Sequence, residues 1–455
     1  MKHEKLAQAL DEISDAHIAE AAAARRRRRP YWLGGAAAVL ALTILVLTLT
    51  NPLAIHAKAV STAAYPEAQW QYREEMFDIT ASLYDFFADS ITQCLSGSSG
   101  ENRAYSPVNL YMALCMTAEL TGGSSREQIL ELLGSGGSEA LRAQANKVWN
   151  ACYHDWGHST TVLASSVWLN EGLPYSQAVM DTLSGNYYAS VYQGALGSEK
   201  INRDIAVWLN QQTGGLLKKE TGQVSLSPET LLALYSTVYY RAKWTEHYEF
   251  SSKANTAGIF HSPSGELSCT FMNRKELQTD YYWGSDYGAV ALGLKDGSRM
   301  WFLLPDEGKR VEDILSGGEY AQMLLSSAPY SEGWENSKYM RVNLSLPKFD
   351  ITSRSDLKQD LQVLGVTDVF DPEAADFSAS IPGASCPVWL ANVNQATRVA
   401  VDEEGVTAAS YIELPAAGAA QPPDEVIDFI LDRPFLFVIT NSYGIPLFAG
   451  VVNEP

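Results

Sequence analysis

The sequence predicts an α+β fold, and three observations carry that prediction. Strand-like runs are joined by hairpin signals, most clearly Asp296-Gly297 between AVALGLK and SRMWFLLP. Helical spacing fills separate stretches, as at Met76, Ile79, Leu83, Phe87 and Ile91 within Ala68–Leu95. Three short apolar runs close the chain, Val426–Leu431, Pro434–Thr440 and Ile445–Val452, each of strand length. Helices and hairpins mixed in this way, without βαβ alternation, indicate α+β.

The chain has 455 residues, of which 46% are hydrophobic, enough for a sizeable core. A formal charge of −20 argues against nucleic acid as a partner, because phosphate binding needs clustered Lys and Arg. Five scattered cysteines (Cys94, Cys115, Cys152, Cys269, Cys386) form no metal-spaced pair and no dense disulfide framework, and a single bridge stays open. Residues 1–30 read as a short tail ending in the run Arg25–Arg29. From Tyr31 to Ile55 no residue is charged, which is long enough for a membrane-crossing helix. Positive charge before it predicts that everything after it lies outside the cytoplasm. The expectation is an uncleaved single-pass anchor of bacterial type over 31–55, then a tether over 56–72. A cleaved signal peptide with Ala57 and Ala59 at the cut is the alternative, giving a secreted protein.

In order along the chain, Ser106 reads as a helix N-cap with Pro107 at the first helical position. Ser125 to Gln128 reads as a capping box for a helix closing at Gly134. Ala164–Asn170 reads as a strand, Ile201–Thr213 as a helix and Leu231–Trp244 as a strand. A helix over Ser355–Leu364 stops at Gly365, and Val388–Val401 is long enough for a central strand. Glu403–Pro423 (EEGVTAASYIELPAAGAAQPP) begins with a strict two-residue period. Val406, Ala408, Ser410, Ile412 and Leu414 fall on one face, Thr407, Ala409, Tyr411 and Glu413 on the other. A segment that is only a loop has no need of one apolar face. The inference is a spare strand, exposed at first and later inserted into a sheet.

These features together resemble the serpin family. The resemblance rests on the acidic pair, glycine and small residues of Glu403, Glu404, Gly405, Val406, Thr407, Ala408, Ala409 and Ser410, and on Asp432–Phe435 with its closing hairpin. It also rests on the Ser-Pro helix start, on Ile201, Asn202, Trp208, Thr213 and Gly215, on Leu346–Phe349, and on Ala375–Ser378. It covers roughly Arg73 to Pro455, so a serpin domain is expected over 73–455. It implies three mostly antiparallel sheets, surrounding helices and an exposed reactive-centre loop. It further implies a suicide inhibitor of a serine protease, acting through loop cleavage, acyl-enzyme trapping and strand insertion, as a monomer without cofactor. Glu403 to Ser410 would be the hinge. Ser106, Asn109, Ser236, Trp244 and Gln395 would gate the sheet, with Asn109, Ser236 and Gln395 replacing the serine, asparagine and histidine usual there.

Counting from Gly405 by the family's loop length puts the scissile bond at Ala419-Ala420, within a window from Gly418 to Gln421. No Lys or Arg occurs between Glu413 and Asp428, so the expected target is elastase-like or subtilisin-like. Pro415, in the insertable half, would remove one ladder donor. The alternative is a non-inhibitory binding protein on the same fold at the cell surface. No catalytic residue is expected. Ser345 and Lys348 fit S-x-x-K, but Pro347 opposes the helix that motif requires. His154 and His158 have the spacing of a metal pair, with a solvated loop pair as the favoured reading and no metal expected.

Overall fold

The computed structural model describes residues 55–66, 75–97, 100–156, 159–215, 224–327, 333–391, 393–406 and 423–455. Among them, two hydrogen-bonded sheets enclose the core. The first is ordered β1 (Lys58–Ser61), β5 (Ala189–Gly194), β4 (Ser159–Asn170), β6 (Leu232–Lys243), β14 (Gly405–Val406), β13 (Asn394–Asp402) and β12 (Phe349–Asp356), with β3 (His154–Asp155) on β4. Only β4 and β5 run parallel in it. The second is ordered β15 (Val426–Ile430), β11 (Ser337–Pro347), β8 (Gly265–Trp283), β9 (Tyr287–Gly293), β10 (Arg299–Pro305), β16 (Phe435–Thr440), β17 (Pro446–Val452) and β2 (Arg103–Tyr105), with β7 (Thr256–Ser262) on β8.

Three sheets were expected and two continuous ones are found, because the 19-residue β8 spans what would be two of them. Its first part pairs with β7, its middle with β11 and its last three residues with β9. The three closing apolar runs are β15, β16 and β17, and the Asp296-Gly297 hairpin joins β9 to β10 with Gly297 at φ +83°.

Ten helices are described: α1 (Glu75–Ser82), α2 (Tyr84–Leu95), α3 (Pro107–Leu120), α4 (Gly123–Leu132), α5 (Ser138–Cys152), α6 (Gln177–Asn186), α7 (Glu199–Gln212), α8 (Val311–Gly317), α9 (Glu319–Ser326) and α10 (Lys358–Val363). Helix α3 is apolar all round and buried along almost its whole length, as a helix between two sheets must be. Ser106 caps it, its Oγ accepting from the Asn109 N–H at 3.3 Å and donating to the Leu447 carbonyl at 2.6 Å. The expected capping box at Ser125 is not found. Helix α4 starts two residues earlier, and Ser125 Oγ instead accepts from the Asp376 N–H. The strand expected from Val388 begins only at Asn394, and the helix expected from Ser355 begins at Lys358, because β12 runs through Ser355.

Strand β6 divides the apolar residues between two clusters. Leu234, Val238, Tyr240 and Ala242 face the main core, while Ala233 and Tyr235 pack with Trp168, Ile205 and Trp208 on the α7 side. The tether expected over 56–72 is, at its start, part of this fold. Lys58–Ser61 pairs with Tyr192 and Gln193 of β5 as an edge strand, and the His56 and Ala57 N–H groups donate to the buried Asp204 carboxylate of α7 at 2.9 and 2.8 Å. Ile55, the last residue of the stretch read as an anchor, packs beside the Trp168 and Trp208 cluster; residues 31–54 lie outside the described residues. Among the described residues no helix is long and apolar enough to cross a membrane. The expectation of a single-pass membrane protein is therefore withdrawn.

Candidate functional site

The described part of the stretch expected to be a hinge, Glu403 to Val406, sits at one end of the first sheet. Strand β13 ends at Asp402, the chain turns over Glu403 and Glu404, and Gly405-Val406 folds back as β14 between β13 and β6. Val406 is opposite Val401 on one side and Ala242 on the other, and it is buried. Glycine is required before it. Gly405 has φ +145°, and a Cβ there would collide with the Ala242 carbonyl and lie 2.7 Å from Lys243 Cα.

Each side of the turn is pinned. Asp402 Oδ1 accepts from the Glu404 and Gly405 N–H groups at 2.9 and 3.3 Å. Fully buried Trp244 donates from its backbone N–H to the Glu404 carbonyl at 3.2 Å and from Nε1 to the Asp402 carbonyl at 3.0 Å. Glu403 Oε1 takes the Lys348 ammonium at 2.5 Å and the Asn255 amide at 2.5 Å. Burial alone would push the Glu403 carboxyl up; Lys348 and Asn255 outweigh it and hold the group below the usual range. Lys348, considered above as half of an S-x-x-K pair, is thus the counter-ion of Glu403. Ser345 lies in β11 and donates to Asn273 Oδ1 at 2.8 Å.

Lower in the sheet, the expected gating residues meet at the start of α3. Ser236 of β6 donates from Oγ to Asn109 Oδ1, and Asn109 Nδ2 donates to the Ser236 carbonyl at 3.0 Å. Gln395 of β13 accepts from the Ser106 N–H at 2.8 Å and donates to the Ser106 carbonyl at 3.2 Å. Both central strands are therefore tied to the same helix end. Among the described residues, no ladder joins β6 directly to β13. A cavity of about 1210 Å³ lies between them, lined by Asn109, Leu234, Ser236, Arg354, Trp389 and Gln395.

Thr407 to Ser410 of the hinge, and the window Gly418 to Gln421 with Ala419-Ala420, lie outside the described residues. His154 is buried on β3 and is not a solvated loop residue, while His158 lies outside the described residues. All five cysteines are free. Sequence reading missed the Lys348 and Asn255 partners of Glu403, since nothing in the local pattern marks either one.

Residues 82–455 match the model of the family described as serpin, serine protease inhibitor. The chain belongs to the serpin family. Serpin-ZX of Arabidopsis thaliana is 25% identical over 376 residues, covering 79% of this chain and 93% of that protein. Plasminogen activator inhibitor 1 of Sus scrofa is 26% identical over 382 residues, covering 82% and 91%. The native-state crystal structure of the thermophilic serpin tengpin superposes with a TM-score of 0.73 at 23% identity, over 88% of this chain and all of that one. These two curated serpins come from a plant and a pig, and they lend no support to the bacterial type expected from the arginine run. The family is one of protease inhibitors in general.

Proposed function

We propose that this serpin is an inhibitory one, a suicide substrate for a serine protease that accepts small residues, cut at Ala419-Ala420. The observation that carries this reading is the position of Val406, buried and paired on both sides at the head of a slot between β6 and β13. Strand insertion has, in effect, its first two residues in place.

Continuing the register of β14 assigns the rest. Ala408 would lie opposite Tyr240 and Val399, Ser410 opposite Val238 and Thr397, Ile412 opposite Ser236 and Gln395, and Leu414 opposite Leu234. Each of these β6 and β13 partners faces the core or the polar cluster at α3. The apolar face of the loop thus meets the apolar side of the slot, the match that strand addition requires. Pro415 would fall beyond Asn394, the first residue of β13, so the ladder to β13 is complete before the proline arrives. At a strand end a proline is tolerated.

The protease serine would attack the Ala419 carbonyl, expel the Ala420 amine and leave an acyl-enzyme. The freed hinge would then zip downward from Val406 and carry the acylated protease with it. The Ala416–Ala420 segment offers no cation and no bulky side chain, which suits an elastase-like or subtilisin-like pocket. The chain itself needs no cofactor for this and acts as a single copy.

The test is to mix the protein with an elastase-like serine protease. The expected result is a complex that survives a denaturing gel, with release of a fragment beginning at Ala420. Cleavage without complex would assign this chain to the non-inhibitory binding proteins of the fold.

A further inference from the structure

A second polar cluster lies beside the hinge, on residues the inhibitory reading does not use. His154 of β3, Ser159 at the start of β4 and Asp296 in the β9–β10 turn are all buried. Ser159 Oγ donates to Asp296 Oδ2 at 2.7 Å, and His154 Nε2 is 2.8 Å from Ser159 Oγ and 3.4 Å from Asp296 Oδ2. Ser159 has one proton and gives it to the carboxylate, so the contact with His154 requires an imidazole N–H at Nε2. The chain of donors runs His154 to Ser159 to Asp296. This is not a hydrolytic triad, because serine and carboxylate meet the same imidazole nitrogen and all three side chains are buried.

The location gives the cluster its meaning. Ser159 is opposite Ala242, and Ala242 is opposite Val406, so the cluster shares a row of the sheet with the inserted hinge residue. Asp296 belongs to the second sheet. The same turn holds the end of β6, with the Lys295 N–H donating to the Lys243 carbonyl at 2.9 Å and Trp244 bridging Leu294. Strands β4 and β6 are paired from Ser159 to Leu169 and must move as one. Widening the slot to admit Ala408 and its successors moves that pair away from β13, and so strains its attachment to the turn.

We propose that His154, Ser159 and Asp296 form a clasp between the two sheets, and that proton uptake by His154 tightens it and slows loop insertion. The proposal rests on the strand-insertion reading above. A cationic imidazole donating toward Asp296 makes a charge-assisted contact, about twice as strong as a neutral one. Histidine changes charge between about pH 5 and 8. A proton taken up beside Asp296 favours the clasped state over the opened one. The clasp is then strongest on the acid side of that range and weakens as pH rises through it.

The other ionisable groups around the cluster are shifted by burial or engaged with a partner. Burial alone would raise the Asp296 carboxyl, but His154 and Ser159 outweigh it and keep it below the usual carboxylate range. Tyr240 of β6 and Cys152 at the end of α5 are held neutral by burial, and the Tyr153 hydroxyl is pushed up as well. Asp155, beside His154, accepts from Thr160 at 3.0 Å, and Arg241 stands opposite Thr160 on β6. Lys295 is tied to Glu246 and Glu249 at 2.8 and 3.6 Å.

The test measures how fast a labelled synthetic peptide with the sequence Thr407–Leu414, which continues from the already paired Val406, anneals to the full chain at about pH 5.5 and pH 8. The peptide's own glutamate titrates below that window. Wild type should anneal several-fold more slowly at the acid pH. His154→Gln keeps an N–H for Ser159 but cannot gain charge, so it should anneal at one rate at both pH values. Asp296→Asn, which removes the counter-charge, should be flat as well and serves if the glutamine variant does not fold. A wild-type rate that ignores pH, or a glutamine variant that keeps the full pH response, overturns the clasp alone. No annealing to any version overturns strand insertion, and the clasp with it.

Discussion

Cutting the loop at Ala419-Ala420 should make this protein more stable, against the usual effect of a broken chain. Before the cut, Gly405 and Val406 are the hinge residues seen paired between β13 and β6 among those described. Afterwards Thr407 to Leu414 are free to continue that register. New ladder hydrogen bonds, at about 1 kcal/mol net each, roughly offset the ~1–2 kcal/mol per residue needed to order the strand. What remains is apolar burial. Ile412 and Leu414 contribute about 1.5–3 kcal/mol each, and the Ala408 methyl about 0.8 kcal/mol. The sum is about 5 kcal/mol. Unfolding entropy of about 2.1 cal/mol/K per residue, over the roughly 370 residues of the serpin region, converts this to a rise in Tm of about 6 °C. The assay is circular dichroism melting of intact and nicked protein, with both fragments shown by mass to remain together. Leu414→Asp supplies the control, since a carboxylate carried to the core face opposite Leu234 should abolish the rise. A nicked form that melts at or below the intact temperature refutes strand insertion as the driving event.

Three further outcomes are expected. Replacing Ala419 and Ala420 with arginine should move inhibition toward trypsin-like proteases, and an unchanged spectrum measured by residual activity would show that the register of the scissile bond is wrong. Glu403→Gln should lower the Tm of intact protein near neutral pH, because Lys348 and Asn255 lose their anionic partner. Since the folded Glu403 carboxyl lies below the usual range, its contribution is present above the ordinary glutamate value of about 4.3 and disappears as pH falls through the folded one. The gap between wild type and variant in pH-resolved melting should therefore close in acid, and a gap independent of pH would refute the ion pair. Gly405→Ala forces a Cβ against the backbone of β6 and should cost about 1–3 kcal/mol in the intact protein. An unchanged melting curve would mean that the hinge is not held between β6 and β13.

The sequence carried whatever repeats locally. The Ser106-Pro107 helix start and the Asp296-Gly297 turn each encode their own geometry within a few residues and could be read directly, while of the period-two run from Val406 to Leu414, Val406 is the one residue described, and it lies in a strand. What it withheld depends on residues far apart in the chain. Lys348 was visible only as a neighbour of Ser345, and its carboxylate partner stands 55 positions later at Glu403. His154 looked solvated beside Gly157, because nothing nearby announces the burial supplied by Asp296. Lys58–Ser61 looked like a tether for the same reason, since four residues without strong apolar character become a strand only when β5 offers an edge.

The arrangement at α3 explains how the slot can stay open and yet be held. Ser236 and Gln395 belong to opposite walls, and each satisfies its polar groups at the helix start and not across the slot. Neither wall therefore needs the other, and parting them leaves no buried donor or acceptor unpaired, which is the costly outcome. An inserted Ile412 would arrive at this row with an apolar side chain between two satisfied amide and hydroxyl groups. Its side chain gains by leaving water, and nothing in that row opposes it provided the ties to Ser106 and Asn109 persist. The rows above and below, where Ala408 meets Val399 and Leu414 meets Leu234, add the rest of the favourable free energy of insertion. Breaking one tie, by Asn109→Ala for example, would leave the Ser236 hydroxyl with Ser165 alone, at 3.0 Å, and its carbonyl without the Asn109 amide, raising the cost of that single row without touching the apolar rows.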